Sequence, residues 1–388
     1  MYKSYLPMLD SGGILLSILY IPILLGVLIY ISKLLKVVFP VKVITGLFLY
    51  YYLFFIAGTF VPFLPNMPDS ALFANVITDN FYPYYQSVGV KLFYIISYPI
   101  RILSFFKLEV FILFQISFFI ISLMVIWKSW QIVLQNNHIE KGYGKNIFIL
   151  LSIGYPAFIL YMPTPLREFF VLFGFSILVY GIISQYYENK GLIAIVIGTV
   201  LLTFVRPQLI IPALILLALS QKNNYIKYGS FAAVIFLMPI LFDTILGYSF
   251  SPKFFALLRH EQATQYASLS YGIVEWRTYF DILMDLPGLV LQFLLSPFAI
   301  LHDKNPLSFL AILIDAIFCI LIYVSVIFAG FKISKIYIYI FILSAILFSI
   351  WEFFIPGAVR HRLPLVAILL PAASYGIMKL SDKFKGRV

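Results

Sequence analysis

Long apolar runs separated by short polar interruptions fill this chain from its first residues to its last. A membrane crossing needs about 20 predominantly apolar residues, fewer where neighbouring helices bury the ends. Eleven runs meet that measure: 13–33, 43–64, 108–127, 146–162, 169–186, 191–205, 208–220, 228–247, 307–330, 336–354 and 362–379. Backbone groups in hydrocarbon must pair within their own segment, so each run is expected to be a helix. The predicted fold is all-α: a polytopic transmembrane helical bundle of about eleven spans, forming one integral membrane domain over residues 1–388.

Two further apolar stretches do not fit as spans. Segment 90–106 carries Lys91, Pro99 and Arg101 and is followed by Lys107, while 286–301 is short, contains Pro297 and ends in His302-Asp303-Lys304-Asn305. Both read as helices lying on or dipping into the interface. They belong to the two largest segments outside the bilayer, 65–107 and 248–306. Two turns are rich in proline: Pro163-Thr164-Pro165-Leu166-Arg167-Glu168 between spans 146–162 and 169–186, and Arg206-Pro207-Gln208 between the short spans 191–205 and 208–220. Short, proline-interrupted helices often line a substrate cavity, because unpaired backbone is tolerated only where protein or water satisfies it.

Composition agrees with the pattern. With 62% apolar and 11% charged residues, the chain has too little polar surface for a soluble globule. The net charge of +11 does not imply nucleic acid, since the basic residues sit singly in short loops. They mark orientation instead. Lys33, Lys36, Lys42, Lys128, Lys141, Lys145, Lys190, Lys222, Lys227, Lys332, Lys335, Lys379, Lys383 and Lys385 fall in alternate loops, which are therefore cytoplasmic, with the N-terminus outside and the C-terminus inside. The first apolar stretch is too long for a signal-peptide core and lacks a small-residue cleavage site, so insertion is expected to use the first span itself. The single cysteine, Cys319, lies in an apolar run, which excludes an intrachain disulfide and a thiolate metal cage.

Arginine does not follow lysine. Arg101, Arg167, Arg206, Arg259, Arg277, Arg360 and Arg362 all map to the outer face, leaving only Arg387 inside. The planar guanidinium suits bidentate capture of phosphate or carboxylate. Arg206 has no acid nearby in sequence and Arg167 stands against the dipole at a helix start, beside Glu168, so both are candidate anion ligands. Arg360-His361-Arg362, in the last outer loop, opposes the orientation rule in the same way. In the first outer segment Asp69 and Asp79 precede the aromatic run Phe81-Tyr82-Pro83-Tyr84-Tyr85; an acid beside rings could deprotonate a sugar hydroxyl, and a helix cap or a turn is the plainer account. The second outer segment gathers Arg259-His260-Glu261, Tyr266, Tyr271-Gly272, Glu275-Trp276-Arg277, Asp281 and Asp285. These types can bind a phosphorylated saccharide and move a proton, or rest on lipid headgroups. Asp243 and Asp315 lie within spans away from their first and last residues, and neither has a partner at helical spacing in its own span. Zincin, P-loop, Cys-x-x-Cys and nucleophile-elbow patterns are absent, and no cofactor or metal is expected.

Many spans, an enlarged outer loop at 248–306, outer-face arginines and Arg277 followed ten residues later by Gly288 resemble integral-membrane O-antigen polymerases of the Wzy type. A looser resemblance is to GT-C glycosyltransferases that use polyprenyl-phosphate sugars, carried by Asp69 in the first large outer loop and Arg362-Leu363-Pro364-Leu365 opening the last span. Two spans precede that acidic loop here, where those enzymes usually have one. The polymerase resemblance implies joining of undecaprenyl-pyrophosphate-linked repeat units at the outer face of a bacterial inner membrane for a surface polysaccharide such as O-antigen, with a chain-length regulator as a possible partner. It further implies Arg167, Arg206, Arg259, Arg277, Arg360, His361 and Arg362 as substrate ligands, and Asp69, His260 or Glu261 as the group handling the acceptor proton. A flippase of lipid-linked oligosaccharides is the chief non-enzyme alternative, and an acyltransferase or a scaffold without chemistry stands behind it. A flippase would call for repeat symmetry, which the sequence lacks.

Overall fold

A computed structural model describes residues 9–60 except 38, 68–79, 88–206 except 141, parts of 214–243, 249–265, 274–295, 306–352 and 355–384. Every regular element named below is helical: α1 (Ser11–Leu34), α2 (Val41–Phe60), α3 (Pro68–Ile77), α4 (Val88–Leu103), α5 (Leu108–Asn136), α6 (Lys145–Gly154), α7 (Pro156–Tyr161), α8 (Glu168–Glu188), α9 (Leu192–Val205), α10 (Asn224–Leu241), α11 (Pro252–Gln265), α12 (Tyr279–Leu295), α13 (Pro306–Ala329), α14 (Phe331–Trp351) and α15 (Ile355–Phe384). Among the described residues seven helices are long and apolar enough to cross a membrane: α1, α2, α5, α8, α13, α14 and α15. The fold is that of a helical membrane protein.

Burial runs in the order a lipid-embedded bundle requires. Helices α5 and α15 are almost wholly enclosed, with aromatic and aliphatic side chains on every face. By contrast, α1 turns Leu15, Ile18, Leu19, Ile23 and Val27 outward, and α9 does the same with Ile193, Val196, Ile197 and Val200. Such rows are costly against water and natural against acyl chains. Helices α8 and α9 form a tight hairpin, in which a side chain on Gly198 would run into the backbone of Leu178 at 2.6 Å. The missing side chain lets the backbones touch, and dispersion then holds the pair. At Gly330 the φ of +96° reverses the chain between α13 and α14, a conformation that L side chains avoid.

Several elements differ from the sequence reading, for identifiable reasons. The run 146–162 is two helices rather than one span. Pro156 has no N–H for the carbonyl of Ser152, one turn back, and Tyr51 Oη on α2 donates to that carbonyl at 2.7 Å instead. The run 362–379 grows into α15, starting at Ile355, so Arg360, His361 and Arg362 lie in a helix and not in a loop. Helix α5 continues through Lys128 to Asn136, past the expected end at residue 127. Segments 90–106 and 286–301 correspond in part to α4 and α12, neither of which is among the seven long apolar helices. Span 191–205 appears as the fourteen-residue α9, which is apolar but short, and span 228–247 as α10 over its first part. Most of span 208–220, together with Asn80 to Tyr85, Pro207, Gln208, Tyr266, Tyr271, Gly272 and residues 302–305, lies outside the described residues.

Contacts sort the helix ends into two groups. At one end Asp10 meets Lys107, and Glu168 meets Arg206 and Arg360. At the other, Tyr143 donates to Asp382, and Lys335 lies 5.8 Å from the ring centre of Tyr186. Each contact joins two segments that the loop lysines assign to the same side.

Candidate functional site

The arginine-bearing end holds a buried cluster of charge drawn from five separate stretches of chain. Asp69 stands in the first turn of α3, Arg167 and Glu168 at the start of α8, Arg206 at the end of α9, Glu352 at the end of α14, and Arg360 with His361 near the start of α15. Glu168 is its hub. Its Oε1 accepts from Arg206 Nη2 at 2.8 Å and lies 2.5 Å from Arg360 Nε, a charge contact, because that N–H is not well aimed at the oxygen. Arg360 Nη1 in turn donates to Asp69 Oδ2 at 2.7 Å. The two carboxylates differ in freedom: Glu168 is sealed in, whereas half of the Asp69 side chain is exposed.

Arg167 completes the cluster without touching an acid. Its Nη1 donates to the carbonyl of Val205 at 3.2 Å, and its Nε has no hydrogen-bond partner among the described residues. Burial, followed by the nearby Arg360 charge, pulls Arg167 below the usual guanidinium value, with Glu168 and Asp69 opposing the shift. A guanidinium keeps its charge in a protein, so Arg167 stands as a cation within the cluster. Gly89, at the start of α4, lies against this guanidinium and leaves it room. Beside the cluster, His361 Nδ1 faces the buried carboxylate of Glu352 in a short contact, and the Phe348 ring packs on the imidazole at 5.6 Å between centroids.

The other candidate residues lie elsewhere and do other work. Arg362 is fully buried; it pairs with Asp315 on α13 and donates through Nη1 to the carbonyls of Phe293 and Leu294, at 3.2 and 3.0 Å. It tethers α12 and α13 to α15 and does not reach the cluster's carboxylates. Arg259 likewise donates to the carbonyls of Ser349 and Ile350, closing the end of α14, with its guanidinium 5.4 Å from the Trp276 ring centre. Arg101 is buried between Val76 and Asp79 and lies over Tyr94. Arg277 and His260 are exposed, and the Arg277 guanidinium lies 4.0 Å from Glu275. Asp281 accepts from the backbone N–H groups of Thr278 and Arg277, both at 2.8 Å, and these bonds hold its carboxyl below the usual carboxylate range. The side chain of Glu261 lies outside what is described.

Sequence reasoning passed over two participants and one pairing. Glu352 was legible as an acid between Trp351 and Phe353 at a span edge. Gln115 is buried mid-span, where its Nε2 donates to the carbonyls of Met162 and Thr164 and fixes the turn that leads to Arg167. The Glu168 partner of Arg206 is 38 residues away, and only the α8–α9 hairpin makes it adjacent.

Together these features define a helical membrane protein with a buried arginine–carboxylate cluster at one end of its bundle. No protein family, curated protein or solved structure matches the chain.

Proposed function

We propose that the protein is a membrane glycosyltransferase whose donor is a saccharide linked to a polyprenyl phosphate. One observation carries this reading: a half-exposed acid, Asp69, pairs with Arg360, which shares the buried Glu168 with Arg206 in a cluster that Arg167 joins, at the end of an apolar bundle. The acid type is right for taking a proton from an acceptor hydroxyl, and guanidinium groups are right for a departing phosphate. In the transfer, the acceptor oxygen bonds to the anomeric carbon while its proton passes to the Asp69 carboxylate. The bond from that carbon to the phosphate oxygen breaks, and its electron pair leaves on the phosphate beside the arginines. An apolar bundle surface gives a polyprenyl chain a place to lie.

Polymerisation of undecaprenyl-pyrophosphate-linked repeat units is a second reading, favoured by the number of guanidinium groups available to a pyrophosphate. The residues special to it, Arg277 and His260, stand apart from the cluster, whereas Asp69 is in it; Arg362, which opens Leu363-Pro364-Leu365, pairs with Asp315 outside it. The position of Asp69 is what favours single transfer. Analysis of lipid-linked intermediates in a deletion strain tests the choice. A glycan truncated by one or more sugars, restored by the wild-type gene and not by Asp69→Asn, is the expected result. Complete repeat units left unjoined would assign the polymerase, and an unchanged lipid profile would overturn both.

A further inference from the structure

Resting on the donor class just proposed, we infer that the Asp69 carboxylate occupies the seat of a phosphoryl group, and that the incoming phosphate takes Arg360 from it. The arginines carry more donors than their partners use. Arg360 Nη2, Arg206 Nε and Arg167 Nε are buried with no hydrogen-bond acceptor among the described residues, and a buried donor left unpaired is costly. Arg206 is almost fully enclosed, with only 4% of its side chain exposed, so solvent does not serve its Nε.

Among the cluster's described acids, Asp69 is the one placed to leave. Glu168 is shared by two guanidiniums and buried, while Glu352 faces His361. Asp69 is held through one oxygen to one nitrogen, from a ten-residue helix, with its other face open. A carboxylate and a phosphate oxygen satisfy the same guanidinium fork, and the phosphate brings more acceptors to it. Gly89 leaves the Arg167 side of the seat without a side chain to block it. Occupancy by phosphate and release of Asp69 are then one event, which frees the proton acceptor only when a donor is in place.

Titration of the purified full-length chain in detergent with geranyl phosphate, inorganic phosphate and geraniol tests the exchange. Removing the internal competitor in Asp69→Asn should tighten geranyl phosphate binding about threefold or more, the scale of an exposed ion pair. Arg360→Gln should weaken it about tenfold or more, and geraniol should bind all three proteins alike. Asp69→Ser serves as a second variant if the asparagine protein does not purify as a single species. Tightening seen with inorganic phosphate alone supports the seat and assigns it to a soluble anion, against the lipid-linked donor. Wild-type binding with no gain in either Asp69 variant overturns the exchange and leaves the donor class standing, whereas no phosphate binding by any protein overturns both.

Discussion

Two arginines two positions apart show how little residue type alone decides. Arg360 reaches a half-exposed acid at the end of the bundle; Arg362 is locked to Asp315 in the interior. Truncating one partner of a buried ion pair strands the other, so Arg362→Met should cost about 3–5 kcal/mol of stability, read from thermal unfolding in detergent. Adding Asp315→Leu should recover most of that loss; no recovery would mean that the carbonyls of Phe293 and Leu294 matter more than the charge. A second bridge lies in water. Lys107 Nζ donates to Asp10 Oδ2 at 2.5 Å and, with the Gly12 N–H, holds the Asp10 carboxyl below its ordinary 3.8; Asp10 in turn raises Lys107 above 10.5. The lowered acid makes the bridge stabilising above pH 3.8, with the contribution lost as pH falls through the folded value. The raised amine makes it fully present below pH 10.5, with loss as pH climbs through the folded value. Wild type and Lys107→Met should therefore differ in melting temperature near neutrality and converge below pH 3.8. A gap that persisted in acid would exclude the bridge as its cause.

Among the elements, the α8–α9 hairpin is the part of the site most open to a single change. Gly198 lets α9 lie on α8, and that approach brings Arg206 to Glu168. Gly198→Val should push the helices apart, lowering the melting temperature and weakening geranyl phosphate binding together; an unchanged affinity would uncouple the hairpin from the cluster. The helices themselves were largely legible, because a run of about 20 apolar residues has few other fates. Their breaks and ends were less so. The split at Pro156 depends on Tyr51, a hundred residues away, being placed to donate to Ser152, and no local pattern announces that. The early start of α15 was hidden for another reason: Arg360, His361 and Arg362 look like a loop by hydropathy, yet each finds an acid outside its own helix. In the site, the arginines could be picked out by position, whereas their pairing could not, since Arg206 and Arg360 both meet acids distant in sequence.

At the scale of the whole molecule, the separation of lysine and arginine predicts two accessible surfaces. His138 and His260 are both exposed, and loop charges put them on opposite sides of the membrane. The sole native thiol, Cys319, is fully buried, so His138→Cys and His260→Cys should each react with an impermeant maleimide from one side only, and from different sides. Labelling of both from the same side would overturn the orientation. Helix α15 joins the two regions of charge. Successive helical residues turn by about 100°, so Arg360 and Arg362 leave the axis roughly 200° apart. One grips the cluster and the other grips α12 and α13. The helix is thus keyed on two sides like a shaft in a collar, and a twist that carried Arg360 away from Asp69 would also strain the pair of Arg362 with Asp315. Release of Asp69 with α3 would open the site while leaving both anchors of α15 in place.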